Sequence, residues 1–145
     1  WGPDGVVCAL ISGDPHLFHD LATVRDRLVS EPQSISGPVR DPDATLAFLH
    51  RVLGLGVIHR YELADPSFDA MVGSAARLRL RAWNVGTRKS EPYFGIIDYG
   101  LPAGSQNSLL AASRPPHRGL LGATVQVPDA AAVAEAAGVS AVQLA

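Results

Sequence analysis

Two stretches of this chain share one grammar, and the repeat restricts the fold more than any other feature. PVRDPDATLAFLHRVLGLGVI (residues 38–58) and VQVPDAAAVAEAAGVSAVQL (residues 125–144) have the same parts in the same order. Each reads as an apolar strand, an Asp beside a Pro, an Ala/Leu-rich helix of about three turns, a Gly stop and a second strand. A doubled strand–helix–strand unit points to a fold built from two copies of one module. A cleft between such copies is a frequent place for a small-molecule site.

The residues between the copies supply further elements. Gly2-Pro3-Asp4-Gly5 reads as a turn and residues 6–11 as a strand covered on both faces. Asp14 can cap a helix with Pro15 at its first position, running to about Val29 with Leu17, Leu21, Val24 and Leu28 on one stripe. Residues 34–40 form a short strand, and Asp41-Pro42-Asp43 opens the first repeat helix, which carries Leu46, Leu49 and Leu53 on one face with Phe48 and Val52 beside them. Gly54 stops it, and residues 57–63 make a strand. Residues 68–75 carry no clear period. Over residues 76–85 Arg77, Arg79 and Arg81 alternate with Leu78, Leu80 and Ala82, the sharpest strand signal in the chain. Residues 93–99 are another strand, with Tyr93, Gly95, Ile97 and Tyr99 on one side and Phe94, Ile96 and Asp98 on the other. A long loop over residues 100–119 leads to a strand at 120–127, a helix at 128–137 and a strand at 139–144. The predicted class is α+β, with helices covering one face of curved sheets.

Composition narrows the function. The 145 residues are about one domain's worth, and 47% hydrophobic with 18% charged is ordinary for a globular protein. A net charge of −2 and the lack of a basic run argue against a nucleic-acid partner. No apolar run approaches the roughly 18 residues that would span a bilayer. One cysteine, Cys8, excludes an internal disulfide framework and a cysteine-rich zinc site. The simplest compartment is the cytoplasm. The chain opens on Trp1 and reaches an apolar run within a few residues, which is the pattern of a piece of a longer polypeptide or of a numbering that lacks earlier residues.

Three stretches together resemble the vicinal oxygen chelate superfamily, the glyoxalase, bleomycin-resistance and extradiol dioxygenase relatives. VRDPDATLAFLHRVLGLGVIHRYEL (residues 39–63) resembles the family's first strand, helix and second strand, with Phe48-Leu49 where the family has Phe-Tyr. GLLGATVQVPDAAAVAEAAG (residues 119–138) resembles the start of the partner module. GPDGVVCALI (residues 2–11) resembles a closing strand, with Gly2 in place of the usual first Asp. The resemblance implies paired βαβββ modules forming a curved mixed sheet with helices on its outer face. It divides the chain into a closing strand and connecting helix (1–32), a complete module (33–100), a loop (101–118) and the first βαβ of a second module (119–145). The order departs from the family, since the closing strand comes first. A fragment of a tandem array, a permuted module pair, and completion by a second chain each account for it. The implied partner is a homodimer mate or a further module of the same chain.

The resemblance also implies a divalent metal on the sheet concavity. The ligand positions fall near Ser34, Gly95, Gly122 and Ala9, and only Ser34 has a side-chain oxygen. A catalytic ion needs about three suitable ligands, so no metal and no cofactor are expected. His16 and His19 share a helix face with Asp14 and Asp20 as the near acidic groups, and read as a solvated surface. His50 lies beside the leucine stripe and His117 in the long loop. The sequence carries no G-x-S-x-G elbow, P-loop, G-x-G-x-x-G or H-E-x-x-H motif.

The expected ligand-binding residues are therefore Tyr93, Ile97, Tyr99, Arg79, His59 and Trp83. Aromatic walls suit a flat organic molecule, and Arg or His supplies orientation. The arginine stripe reads more plainly as the solvent face of an antiparallel strand, with Leu78 and Leu80 inward. The resemblance favours a binding protein like the family's drug-sequestering members. A metal-dependent lyase, isomerase or dioxygenase completed by residues outside this chain is the alternative.

Overall fold

The structure is a computed structural model, and it describes residues 22–29, 32–71, 74–101 and 123–138. The strands expected at 6–11 and 139–144, the turn at 2–5, nearly all of the 100–119 loop, and Cys8, Ala9, His16, His19, His117 and Gly122 lie outside the described residues.

The elements run β1 (Ser34–Pro38), α1 (Pro42–Leu53), β2 (Gly56–Leu63), α2 (Pro66–Met71), β3 (Leu80–Gly86), β4 (Tyr93–Asp98) and α3 (Ala130–Ala137). The strands form one mixed, open sheet in the order β1-β4-β3-β2. β1 runs parallel to β4, while β3 is antiparallel to both β4 and β2. The described part of the chain is α+β.

Both repeat helices form, with matching ends. Asp41 (φ −129°) caps α1 by accepting from the Ala44 amide, and Gly54 (φ 66°) ends it in the left-handed region. Asp129 (φ −137°) caps α3 by accepting from the Ala131 and Ala132 amides, and Gly138 (φ 72°) ends that helix the same way. An Asp acceptor satisfies amides that the first turn leaves free, and a glycine takes positive φ without a Cβ penalty. The two helices pack together. Arg51 of α1 donates through Nη1 to the Ala136 carbonyl in the last turn of α3, where a cation also complements the helix dipole.

α1 lies over the sheet against β2 and β4, with Val52 buried. Leu46, Leu49 and Leu53 are half-buried, while Phe48 is exposed beside the Arg51 guanidinium, 6.0 Å from its ring centre. The sheet contributes Leu80, Ala82, Val85 and Ile96 to the core, and Leu78 just precedes it. These residues come from both faces of the sheet.

Four local expectations need correction. The strand expected from Ala76 starts at Leu80. The Leu78 amide is taken by Asp69 Oδ1 of α2 at 3.0 Å, which diverts the backbone from the ladder. Residues 68–75, without a clear period, contribute most of the short helix α2, whose first turn is fixed by the Ser67 amide and hydroxyl donating to Asp65 Oδ1 at 2.7 and 2.6 Å. The Ser67 hydroxyl and then its amide hold the Asp65 carboxyl below its ordinary range. Residues 123–127 form no strand, because no described strand pairs with them. Residues 22–29 are not helical: Val24, Leu28 and Val29 are exposed, so their stripe has no described surface to pack on.

Candidate functional site

The strand registers sort the sheet residues into two faces. On one face Arg60, Trp83, Ile96 and Gly37 are in register across all four strands, and Glu62, Arg81 and Asp98 form the next row.

This face holds the charge, and Glu62, Arg81 and Asp98 on it are paired. Arg81 donates through Nε and Nη2 to Asp98 Oδ2 at 3.2 and 2.5 Å. The Gly100 amide donates to Asp98 Oδ1 at 2.8 Å. Arg79 Nη2 pairs with Glu62 at 3.0 Å, and before the strand begins Arg77 pairs with Asp69 at 3.3 Å. The Arg81 guanidinium also stands 5.7 Å from the centre of the Trp83 ring. Burial pushes the Asp98 carboxyl up, but the Gly100 hydrogen bond and then Arg81 hold it below the usual carboxylate range. The Asp98 hydrogen bond, and next its charge, raise the Arg81 guanidinium further. All three arginines of the stripe are exposed and engaged with a carboxylate.

The opposite face has a different chemistry. His59, Asn84, Gly95 and Ser36 are in register across the four strands. One neighbouring row is Tyr61, Ala82, Ile97 and Pro38. On the other side Tyr93 pairs with Ser34 and meets Gly86, where an added Cβ would lie 3.1 Å from the Tyr93 Cβ. A polar row thus lies between two rows with tyrosines. Its floor is made of small residues: Gly86, Gly95 and Ala82 are buried. No Asp, Glu, Lys or Arg of the four strands belongs to this face.

Gly95 makes the middle of the row possible. A Cβ on it would fall 2.0 Å from Ser36 Oγ and 2.7 Å from Ser36 Cβ, so the serine hydroxyl occupies the space above the glycine. Ser36, rather than Ser34, faces Gly95. On β2 the register shifts between Val57 and His59, so Ile58 is an extra residue. That bulge sets His59 opposite Asn84. His59 and Tyr61 stack along their strand at 6.0 Å between ring centres. At the far end of β4, Tyr99 stacks on Phe68 of α2 at 6.3 Å.

Of the residues expected from the sequence, Tyr93, Ile97 and His59 come together on this face, and Tyr99 follows β4 against α2. Trp83 and Arg79 do not join them, since Trp83 lies in the register rows of the other face and Arg79 is bound to Glu62. Asn84 and Ser36 lie on the same face and were not expected. Their only signal in the sequence is alternation with apolar neighbours, and the pairing that unites them spans three strand contacts.

The donors on this face are an imidazole, a primary amide and a hydroxyl. Among the described residues no group of three or more His, Cys, Asp or Glu could hold a metal ion. Asp98 and Glu62 are on the other face with arginine partners. These residues do not fit a divalent metal. The arrangement can instead hold a molecule through contact with Tyr93, Tyr61 and Ile97 and hydrogen bonds along the polar row. Among the described residues no helix is long and apolar enough to cross a membrane. Comparison with protein-family models, curated proteins and solved structures gave no match.

Proposed function

We propose that this chain is a glyoxalase/bleomycin-resistance-like protein that lacks the usual metal ligands and binds a small organic molecule on the sheet face carrying Tyr93, Ile97 and His59. The observation that supports this most is the polar row His59–Asn84–Ser36 set between tyrosine-bearing rows over a floor of small residues. Binding follows from burial of a flat ligand against Tyr93, Tyr61 and Ile97, with the row fixing its orientation. No bond in the ligand changes.

The finer architecture in this reading is a pair of βαβββ modules, completed by a homodimer mate or a further module. Two features support it: the matching Asp and Gly ends of α1 and α3, and the strand order in which β1 is parallel to β4. In such a pair the polar row belongs to the concave side.

A calorimetric and thermal-shift screen of aromatic compounds tests the function. The expected result is saturable binding of at least one compound with a negative heat-capacity change, unaltered by a metal chelator. Absence of binding across neutral and charged aromatics, or binding that vanishes with the chelator, contradicts it.

A further inference from the structure

Resting on that small-molecule reading, we infer that the ligand class is an uncharged planar compound that presents a lactam or carboxamide edge to Asn84. Three observations lead there. First, the strand residues of the face carry no Asp, Glu, Lys or Arg. Arg77, Arg79 and Arg81 are on or near the other face, each bound to a carboxylate, and Arg60 is in the register rows of that face. A charged ligand would lose its hydration here with no opposite charge to replace it.

Second, the polar row has open hydrogen-bonding capacity. Among the described residues no protein group hydrogen-bonds the side chains of Ser36, Asn84 or His59, although Asn84 is half-buried in the middle of the sheet. Buried polar groups are ordinarily hydrogen-bonded to protein or water, and at Asn84 a ligand can take that place. Its side chain offers a donor and an acceptor side by side. A lactam or carboxamide edge offers the same pair reversed, and the two bond in a ring of two parallel hydrogen bonds.

Third, the dimensions suit a ring system. Neighbouring strands are about 4.8 Å apart, so the row from His59 to Ser36 covers about 14 Å. Tyr93 and Ile97 are four residues apart on β4, about 13 Å of strand, with Gly95 between them. A one- or two-ring molecule lying over Asn84, beside the Ser36 hydroxyl that fills the space above Gly95, meets Tyr93 on one side and Ile97 with Tyr61 on the other. The Ser36 hydroxyl and the His59 ring then bracket its ends.

The test uses three bicyclic probes of similar size: 2-quinolinone as the neutral lactam, 2-naphthoate as the anion and 2-naphthylmethylammonium as the cation. Each is titrated into the full chain labelled with nitrogen-15, and the Asn84 side-chain amide resonances are followed. The expected result is that 2-quinolinone binds about tenfold more tightly than either charged probe and moves those resonances. Asn84→Leu weakens 2-quinolinone about tenfold with the fold retained, a factor typical of losing one or two hydrogen bonds. Should that variant not fold, Asn84→Asp replaces it, and the order of the neutral and cationic probes reverses. Equal or tighter binding of a charged probe overturns the lactam assignment and leaves the small-molecule reading standing. The same holds if 2-quinolinone binds without moving Asn84, or if none of the three binds while other aromatics do. Failure of every aromatic compound removes both.

Discussion

Arg81 and Asp98, on adjacent antiparallel strands and directly opposite in register, share a forked contact in which Nε and Nη2 both reach Oδ2. The remaining oxygen accepts from the Gly100 amide, so the buried carboxylate has partners on both sides. This unit closes the end of β4. Its pH dependence has a definite sign. The folded-state pKa of Asp98 is lowered, so in acid the unfolded chain takes up the proton first. The stabilisation is whole above the unfolded value of about 3.9 and is lost as pH falls through and below it. Urea unfolding between pH 6 and pH 3 should show stability declining in acid, with a shallower decline in Asp98→Asn. The side chain of Arg81 is 47% exposed. Arg81→Ala should therefore cost less than Asp98→Ala, which should cost about 1–3 kcal/mol because it orphans the Gly100 amide.

Gly100 and Gly54 have the same φ of +66° but different surroundings. A Cβ on Gly100 would lie 3.0 Å from the Arg79 carbonyl oxygen, whereas Gly54 has nothing within 4 Å. Gly54→Ala should cost about 1 kcal/mol, the left-handed penalty alone. Gly100→Ala should cost more. Chemical denaturation of the two variants side by side checks the order.

Gly95 and Ser36 are a coupled pair. Gly95→Ala should destabilise by about 1–3 kcal/mol, because its methyl would overlap the Ser36 side chain. Adding Ser36→Gly should restore most of that loss, since the nearest remaining atom is Ser36 Cα at 3.2 Å. A double-mutant cycle with additive costs would show that the hydroxyl does not sit above the glycine.

Arg51 ties α1 to the last turn of α3. Arg51→Ala should speed amide exchange across residues 130–137 while leaving β3 and β4 protected, at a cost of about 1 kcal/mol.

The parts of the fold legible in the sequence are those set by local chemistry. The Asp caps and Gly stops of α1 and α3 stand where the repeat put them, because both depend on residues within one turn. The alternation of Arg77, Arg79 and Arg81 with Leu78, Leu80 and Ala82 gave the exposed and buried sides correctly. What escaped was set by pairing between distant residues. Trp83 and Tyr93 both read as pocket aromatics, yet cross-strand register decides which face each joins, and it separates them. The bulge at Ile58 brings His59 level with Asn84 and leaves no mark in the hydrophobic pattern. The stripe through Val24 and Leu28 shows the converse, since residues 22–29 carry part of a helical period and are not helical.

The central claim is that a ligand lies on the His59–Asn84–Ser36 face. Intermolecular nuclear Overhauser effects from a bound aromatic compound test it most directly. The expected contacts are to the Ala82 methyl, the Tyr93 ring and the Ile97 methyls. Contacts confined to Trp83, Val85 and Ile96 would contradict it, as they belong to the opposite face.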